Sequence, residues 1–248
     1  MPTKALINRH ALARVTQISI CTVVALLMCG CASRAYRHGD VASESLSKAA
    51  KEIRDESRAI DVTLASLDNL VNNPGPDLRP QYARYSHSLD RLVAASKQAE
   101  KSAEVAKRKS ADFFESWDQR TAEIKYEAVR DQSVSRKTQV SDEFNTVNDR
   151  YRENQAVIDP LISYLQDIRT ALGTDLTMGG LQSVKTLADN AAQNAQKVQT
   201  ALAKLSDELY DSGARMSSVG PREQPAEGGV GEATETDQQH VQSSTLNP

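Results

Sequence analysis

Side chains that are apolar or small recur at alternating spacings of three and four residues along most of this chain, and this periodicity restricts the fold more than any other feature. The spacing aligns these side chains in a seam along one side of an α-helix. Four segments carry such a seam, at about 43–72, 80–132, 137–172 and 180–211. The sequence therefore predicts an all-α protein, folded as an elongated antiparallel helical bundle or a coiled-coil hairpin.

The four seams differ in the size of their residues. The first is mostly aliphatic, and its members are Leu46, Ala50, Ile53, Ser57, Ile60, Leu64, Leu67 and Val71. The seam residues between 96 and 110 in the second helix, and between 188 and 195 in the fourth, are all small. We expect these two zones to pack near each other. Small side chains bury little area, so this part of the bundle is predicted to be the least stable.

The third seam contains two interruptions, and three links separate the helices. Asn154 takes a seam position, which can specify register, and Pro160 is expected to kink or divide the helix. The segments 73–76, rich in proline and glycine, and 173–175, which begins with glycine, predict helix ends. A hinge at 133–135 separates the second and third helices in this interpretation, and one continuous helix is the alternative.

The N-terminus has the layout of a bacterial lipoprotein signal. A basic start (Lys4, Arg9, Arg14) precedes an apolar run at 18–28, and Gly30-Cys31 follows. The apolar run is shorter than the roughly 20 residues that span a bilayer as a helix. Signal cleavage before Cys31 is therefore predicted, and a retained membrane anchor is the alternative.

Cleavage at this point makes Cys31 the predicted lipidation site. Cys21 and Cys29 leave with the signal, so the mature chain has no disulfide, thiolate metal site or cysteine nucleophile. Ala32 follows Cys31, where aspartate tends to retain such proteins at the inner membrane. We therefore expect a lipid-anchored protein on the periplasmic face of the outer membrane.

Four regions are predicted along the chain. These are a signal peptide (1–30), a lipidated tether (31–42), a helical coiled-coil domain (43–212) and a disordered tail (213–248). The tail is assigned from its glycine, proline, glutamine and glutamate content and its lack of apolar residues.

The composition excludes several function classes. Removal of the signal, which carries three basic and no acidic residues, changes the formal net charge from −3 to −6. No block of lysine and arginine stands out, so nucleic-acid binding is not expected. No phosphate-binding loop or histidine pair with metal-ligand spacing occurs. We expect no catalytic residues, cofactor, metal or small-molecule substrate.

A few side chains remain as candidate contacts. Phe113, Phe114 and Trp117 form the only dense aromatic cluster, and core packing is the main expectation for it. In the alternative, Phe114 or Trp117 docks a partner, because aromatic side chains often anchor interfaces. The carboxylate pairs Asp112/Glu115 and Glu123/Glu127 are typical of a solvated helix face, as is His87.

The chain resembles a family of uncharacterised bacterial lipoproteins known by a domain-of-unknown-function label. The resemblance rests on Phe113-Phe114-Glu115-Ser116-Trp117, with Tyr126 and 133–136 downstream, and on Ile158-Asp159-Pro160-Leu161 with Leu165. It covers roughly residues 31–212. It implies a helical architecture and no activity, and it transfers no functional residue to this chain.

These features favour a non-enzymatic, lipid-anchored cell-envelope protein that acts as a helical scaffold or interaction module. Its expected partners are the membrane, through the lipid on Cys31, and other envelope proteins or further copies of the chain. The alternative is a membrane-active or membrane-remodelling helical protein, which usually exposes an apolar hairpin or a basic amphipathic face.

Overall fold

Four long α-helices make up nearly all of residues 35–219, which are the residues that this computed structural model describes. They are α1 (Ala35–Asn72), α2 (Arg79–Ala122), α3 (Glu127–Thr174) and α4 (Met178–Met216). At 1.5 Å per residue, lengths of 38 to 48 residues correspond to about 57–72 Å. The predicted signal peptide, Cys31 and most of the predicted tail lie outside the described residues.

The helices form a closed ring in which each runs antiparallel to both neighbours. The neighbouring pairs are α1–α2, α2–α3, α3–α4 and α4–α1, and α1 makes the most extensive contacts of the four helices. We call the end that holds the start of α1, the turn 123–126 and the end of α4 the base. The opposite end, with the links 73–78 and 175–177, is the top. The predicted all-α bundle is confirmed.

The predicted seams form the core. Every predicted seam residue of α3, including Asn154, and every one of α4 is buried. In α1 the seam is also buried, except that Ser57 and Leu64 are half-exposed. The pattern of three and four residues therefore located a buried seam on each helix, but it left out other buried residues, such as Glu56 of α1 and Gln81 of α2. None of the described helices is long and apolar enough to cross a bilayer.

The first helix begins eight residues before its predicted start, inside the segment assigned to the tether. Gly39 lies in this additional part of the helix. In the structure it is helical and buried, and an added Cβ would collide with the carbonyl oxygen of Met216 at the end of α4. The glycine thus allows α1 and α4 to approach closely at the base.

The link between the second and third helices is also displaced. The predicted hinge at 133–135, and the alternative of one continuous helix, are both wrong: α2 ends at Ala122 and the turn occupies 123–126. This turn contains neither glycine nor proline. Side chains on both sides of it pair across the hairpin instead, with Thr121 and Trp117 both bonded to the Ser133 hydroxyl at 2.8 and 2.9 Å.

Two expected interruptions do not end a helix. α3 runs through Pro160 as one element, with the proline on its exposed side. α4 continues past its predicted end at about residue 211 to Met216. Gly213 is buried within it, and an added Cβ there would lie 3.1 Å from the Ser43 carbonyl oxygen of α1.

The expected pairing of the small-residue zones of α2 and α4 is wrong. Hydrogen bonds from Lys185 to Asn72 and from Gln199 to Asp61 place the α4 alanines beside the upper half of α1. The small residues of α2 lie lower, since Phe113 is next to Gly39. Both zones pack against α1, which lies between α2 and α4. Small side chains on these two helices allow each of them to lie close to α1.

Candidate functional site

The predicted anchor lies close to the base of the bundle in sequence. Cys31 itself is outside the described residues, but α1 starts four residues later at Ala35. The first turns of α1 are fixed to the end of α4. The Asp40 carboxylate accepts hydrogen bonds from the backbone N–H and the hydroxyl of Ser218, both at 2.8 Å. A lipid on Cys31 would therefore hold the bundle by this end.

The predicted aromatic cluster is part of the same end. Phe113 lies 5.4 Å from Phe114 and 5.3 Å from Trp117 between ring centroids, and Phe114 lies 5.9 Å from Phe144 of α3. Phe113, Phe114 and Trp117 are half-buried against the core. The indole N–H of Trp117 donates to Ser133 at 2.9 Å. The cluster thus closes the core near the base, and docking of a partner at Phe114 or Trp117 stays a prediction.

A buried acidic residue that the sequence interpretation missed lies near the middle of the bundle. Glu56 of α1 has no exposed surface, and neither carboxyl oxygen has a hydrogen-bond partner among the described residues. The Ser96 hydroxyl of α2 faces it without reaching full hydrogen-bond geometry. Tyr151 of α3 is also buried, with an unpaired hydroxyl, and the side-chain amide of the buried Asn154 donates to the Arg150 carbonyl oxygen at 2.9 Å. We call Glu56, Ser96, Tyr151 and Asn154 the mid-bundle polar layer.

Burial controls the ionisation of this layer. It raises the pKa of the Glu56 carboxyl group from its ordinary value of 4.5 to about 7, opposed by the Ser96 hydroxyl and reinforced by the negative charge of Asp159. Burial also raises the pKa of the Tyr151 hydroxyl, with further contributions from Glu100 and Glu56. The layer can therefore hold or release one proton near neutral pH.

The top of the bundle contrasts with this layer because most of its inward polar groups are paired, with the Ser86 hydroxyl as an exception. The Tyr85 hydroxyl is buried and donates to the Leu165 carbonyl oxygen at 2.6 Å. The Gln81 amide joins the link 73–78 to α2, since its nitrogen donates to the Asn73 carbonyl at 2.9 Å and its oxygen accepts from the Gly75 N–H at 2.8 Å. We call the buried residues around Tyr85 the upper core: Leu67, Leu70, Leu89, Leu165, Ile168 and Leu172.

No cluster of three or more potential metal ligands occurs within residues 35–219. Three of the four carboxylates considered in the sequence have local partners: Lys109 for Asp112, Gln119 for Glu115 and Arg120 for Glu123. The histidines His38 and His87 are exposed.

Glu56 could have been found from the sequence by testing a second seam. The buried side of α1 repeats at spacings of four and three through Ala42, Leu46, Ala49, Ile53, Glu56, Ile60, Thr63, Leu67 and Leu70. The predicted seam contained Leu46, Ile53, Ile60 and Leu67 of this set. At the positions between and after them it contained the next residue in the chain, so that Ser57 was predicted in place of Glu56. Because α1 packs against two helices, both seams are largely buried. The charged residue in the second seam was the available signal.

The fold and its base define a class: a long, closed four-helix bundle whose first helix starts just after a cysteine. The chain belongs to the family described as protein of unknown function (DUF2959), which matches residues 35–217. This confirms the expectation of a domain-of-unknown-function family. No curated protein and no solved structure matches the chain.

Proposed function

We propose that this protein is a lipid-anchored component of the bacterial cell envelope, and that its bundle serves as a scaffold or interaction module on the periplasmic face of the outer membrane. One observation carries the proposal. Only three residues, 32–34, separate the predicted lipidated cysteine from a helix that is packed into the base. An extended chain spans at most about 3.6 Å per residue, so the lipid would hold a rigid body of about 60–70 Å by one end.

The outer surface supports a role in contacts rather than in reactions. Ion pairs join neighbouring helices on that surface, such as Arg169 to Asp90 at 2.6 Å and Arg215 to Glu143 at 2.6 Å. Such a face can bind protein partners, or further copies of the chain, through charge complementarity.

The anchoring test compares the wild type with a Cys31→Ser variant in the native host. The wild type should incorporate radiolabelled palmitate and float with outer-membrane vesicles. The mass of its intact mature form should correspond to a lipidated chain whose first residue is Cys31. The variant should remain folded and lose the label and the outer-membrane fraction. Retention of residues 1–30 by the wild type, or an unchanged distribution of the variant, would contradict the proposal.

The scaffold role is tested by photo-cross-linking in cells. A photoreactive residue placed at Val62 or Val157, which are exposed on α1 and α3, should capture envelope proteins or a second copy of the chain. A buried position such as Ala195 is the matched control and should capture only intramolecular neighbours. Absence of any intermolecular product at exposed positions on all four helices would argue against a scaffold.

A further inference from the structure

The hairpin between α2 and α3 extends past the described parts of the other two helices at the base. Tyr36, at the start of α1, lines a shallow pocket with Trp117 and Arg120 of α2 and with Ser218 beyond α4. α2 continues for two to five residues beyond Arg120 and Trp117 before the turn begins. At 1.5 Å per residue this is an overhang of roughly 3–8 Å. We call residues 121–134 the hairpin tip.

Exposed apolar side chains concentrate at this end. Of ten large hydrophobic residues exposed in residues 35–219, six are at the base, and the most exposed, Tyr126 at 81%, is in the turn. The six are Tyr36, Val41, Tyr126, Val129, Val134 and Val219. Lys125 and Glu127 are adjacent to Tyr126, and Arg130 follows four residues after it. A tyrosine with neighbouring aliphatic and basic side chains is typical of a surface that enters the interfacial region of a bilayer.

The tether limits how far this end can be from a bilayer. Four peptide steps join Cys31 to Ala35, so the start of α1 lies within about 14 Å of the lipidated sulfur. The lipid holds this sulfur at the membrane surface, and the headgroup region of one leaflet is about 5–7 Å thick. About 7–9 Å then remains between the headgroups and the start of α1, and an overhang of roughly 3–8 Å on the same side covers from a third to nearly all of this distance.

We propose that the hairpin tip is a second membrane contact, in which Tyr126, Val129 and the apolar part of Lys125 insert among the phospholipid headgroups of the leaflet that holds the lipid. This inference rests on the proposed lipidation at Cys31. Two contacts instead of one fix the direction of the bundle, so that its top points away from the membrane. The tip carries nearly balanced charge, so the contact depends on apolar and interfacial groups and changes little with salt.

The test uses the full, processed lipoprotein in vesicles of phosphatidylethanolamine and phosphatidylglycerol that contain a headgroup nitroxide lipid. The lipid occupies the Cys31 thiol, so Tyr126→Cys provides a single site for an environment-sensitive fluorophore. Met178→Cys, which is 61% exposed at the top, is the matched control. We expect a blue-shifted emission and several-fold stronger quenching at position 126 than at position 178.

Vesicle flotation separates the two claims. If the wild type fails to float, the anchor is wrong and the tip inference falls with it. If it floats but position 126 is quenched no more than position 178, the tip inference alone is overturned. Protein adducts from a photoreactive residue at position 126 in cells, without quenching in vesicles, would overturn it in favour of a protein partner.

Trypsin cleavage at Lys125 and Arg130 provides a label-free check, since both sites should be protected only in the vesicle-bound protein.

Discussion

The upper core and the mid-bundle polar layer are built by the same helices, yet they differ in whether the buried tyrosine hydroxyl has a hydrogen-bond partner. In the upper core the Tyr85 hydroxyl reaches a carbonyl oxygen on α3. In the polar layer the Glu56 carboxyl and the Tyr151 hydroxyl are buried without partners. An unpaired buried polar group costs about 1–3 kcal/mol, and more when it is charged. The difference indicates that the top specifies the packing of the bundle and that the middle makes its stability depend on pH.

The largest loss of stability is expected for Tyr85→Ala. This change removes a completely buried aromatic ring between α2 and α3, and large-to-small changes of this kind cost about 3–5 kcal/mol. The free energy of unfolding, from urea denaturation followed by circular dichroism, measures it. Ala83→Gly on the exposed side of the same helix should cost about 1 kcal/mol. A loss at Tyr85 no larger than that of the control would contradict its role in the upper core.

The Glu56→Gln variant is expected to remove a pH-dependent loss of stability. The folded-state pKa is raised from 4.5 to about 7, so folding favours the protonated form. Below pH 4.5 the carboxyl is protonated in both states and its favourable contribution is complete. As pH rises to 7 the unfolded state ionises first, and stability falls by about 3 kcal/mol in total.

Urea denaturation at pH 4 and pH 8 tests this expectation. The variant should match the wild type at pH 4 and exceed it by about 3 kcal/mol at pH 8. Glu52→Gln, one turn away and half-exposed, is the matched control and should keep the dependence of the wild type. A Glu56→Gln protein with the same pH profile as the wild type would show that the carboxyl reaches water or a partner in the folded state.

Substitution of a small residue tests how tightly α4 lies on α1. Ala191 is completely buried beside the upper half of α1, so Ala191→Leu should overpack this contact and cost about 1–3 kcal/mol. Ala203→Leu places the same side chain on the exposed face of α4 and should be nearly neutral. Equal thermal midpoints for the two variants would mean that the helices can separate without cost.

The sequence predicted the inner faces of the helices better than their ends. The predicted seam of α3 contains every buried residue of that helix, and the seam of α4 lacks only Gly180 and Ser206 within its predicted bounds. The turn at 123–126 was missed because its residues are compatible with a helix, and pairing of Thr121 and Trp117 with Ser133 across the hairpin ends α2 there. The first turns of α1 were wrongly assigned to the tether, although Gly39 lies there in a helix in close contact with Met216.

The site was less predictable than the fold. Cys31 follows from a local motif, and the structure adds only that a packed helix begins four residues later. The burial of Glu56 depends on α1 having two close neighbours, a tertiary fact that a single helical seam does not contain. The overhang of the hairpin tip depends on the level at which α1 and α4 lie beside α2, which is shown by the contacts of Gly39 with Phe113 and Met216.

The smallest change in stability is expected when the hydroxyl group of Tyr85 or of Tyr151 is removed. Tyr85→Phe removes a hydroxyl that donates to a carbonyl oxygen at 2.6 Å, so it should destabilise the protein by about 1 kcal/mol. Tyr151→Phe removes a buried hydroxyl without a partner and should be neutral or slightly stabilising. The aromatic ring is retained in both variants, so each serves as the packing control for the other. Urea denaturation at pH 5, where Glu56 is largely protonated in the folded state, measures both. If Tyr151→Phe proved as destabilising as Tyr85→Phe, the Tyr151 hydroxyl would have a partner in solution, and the distinction between the upper core and the polar layer would fail.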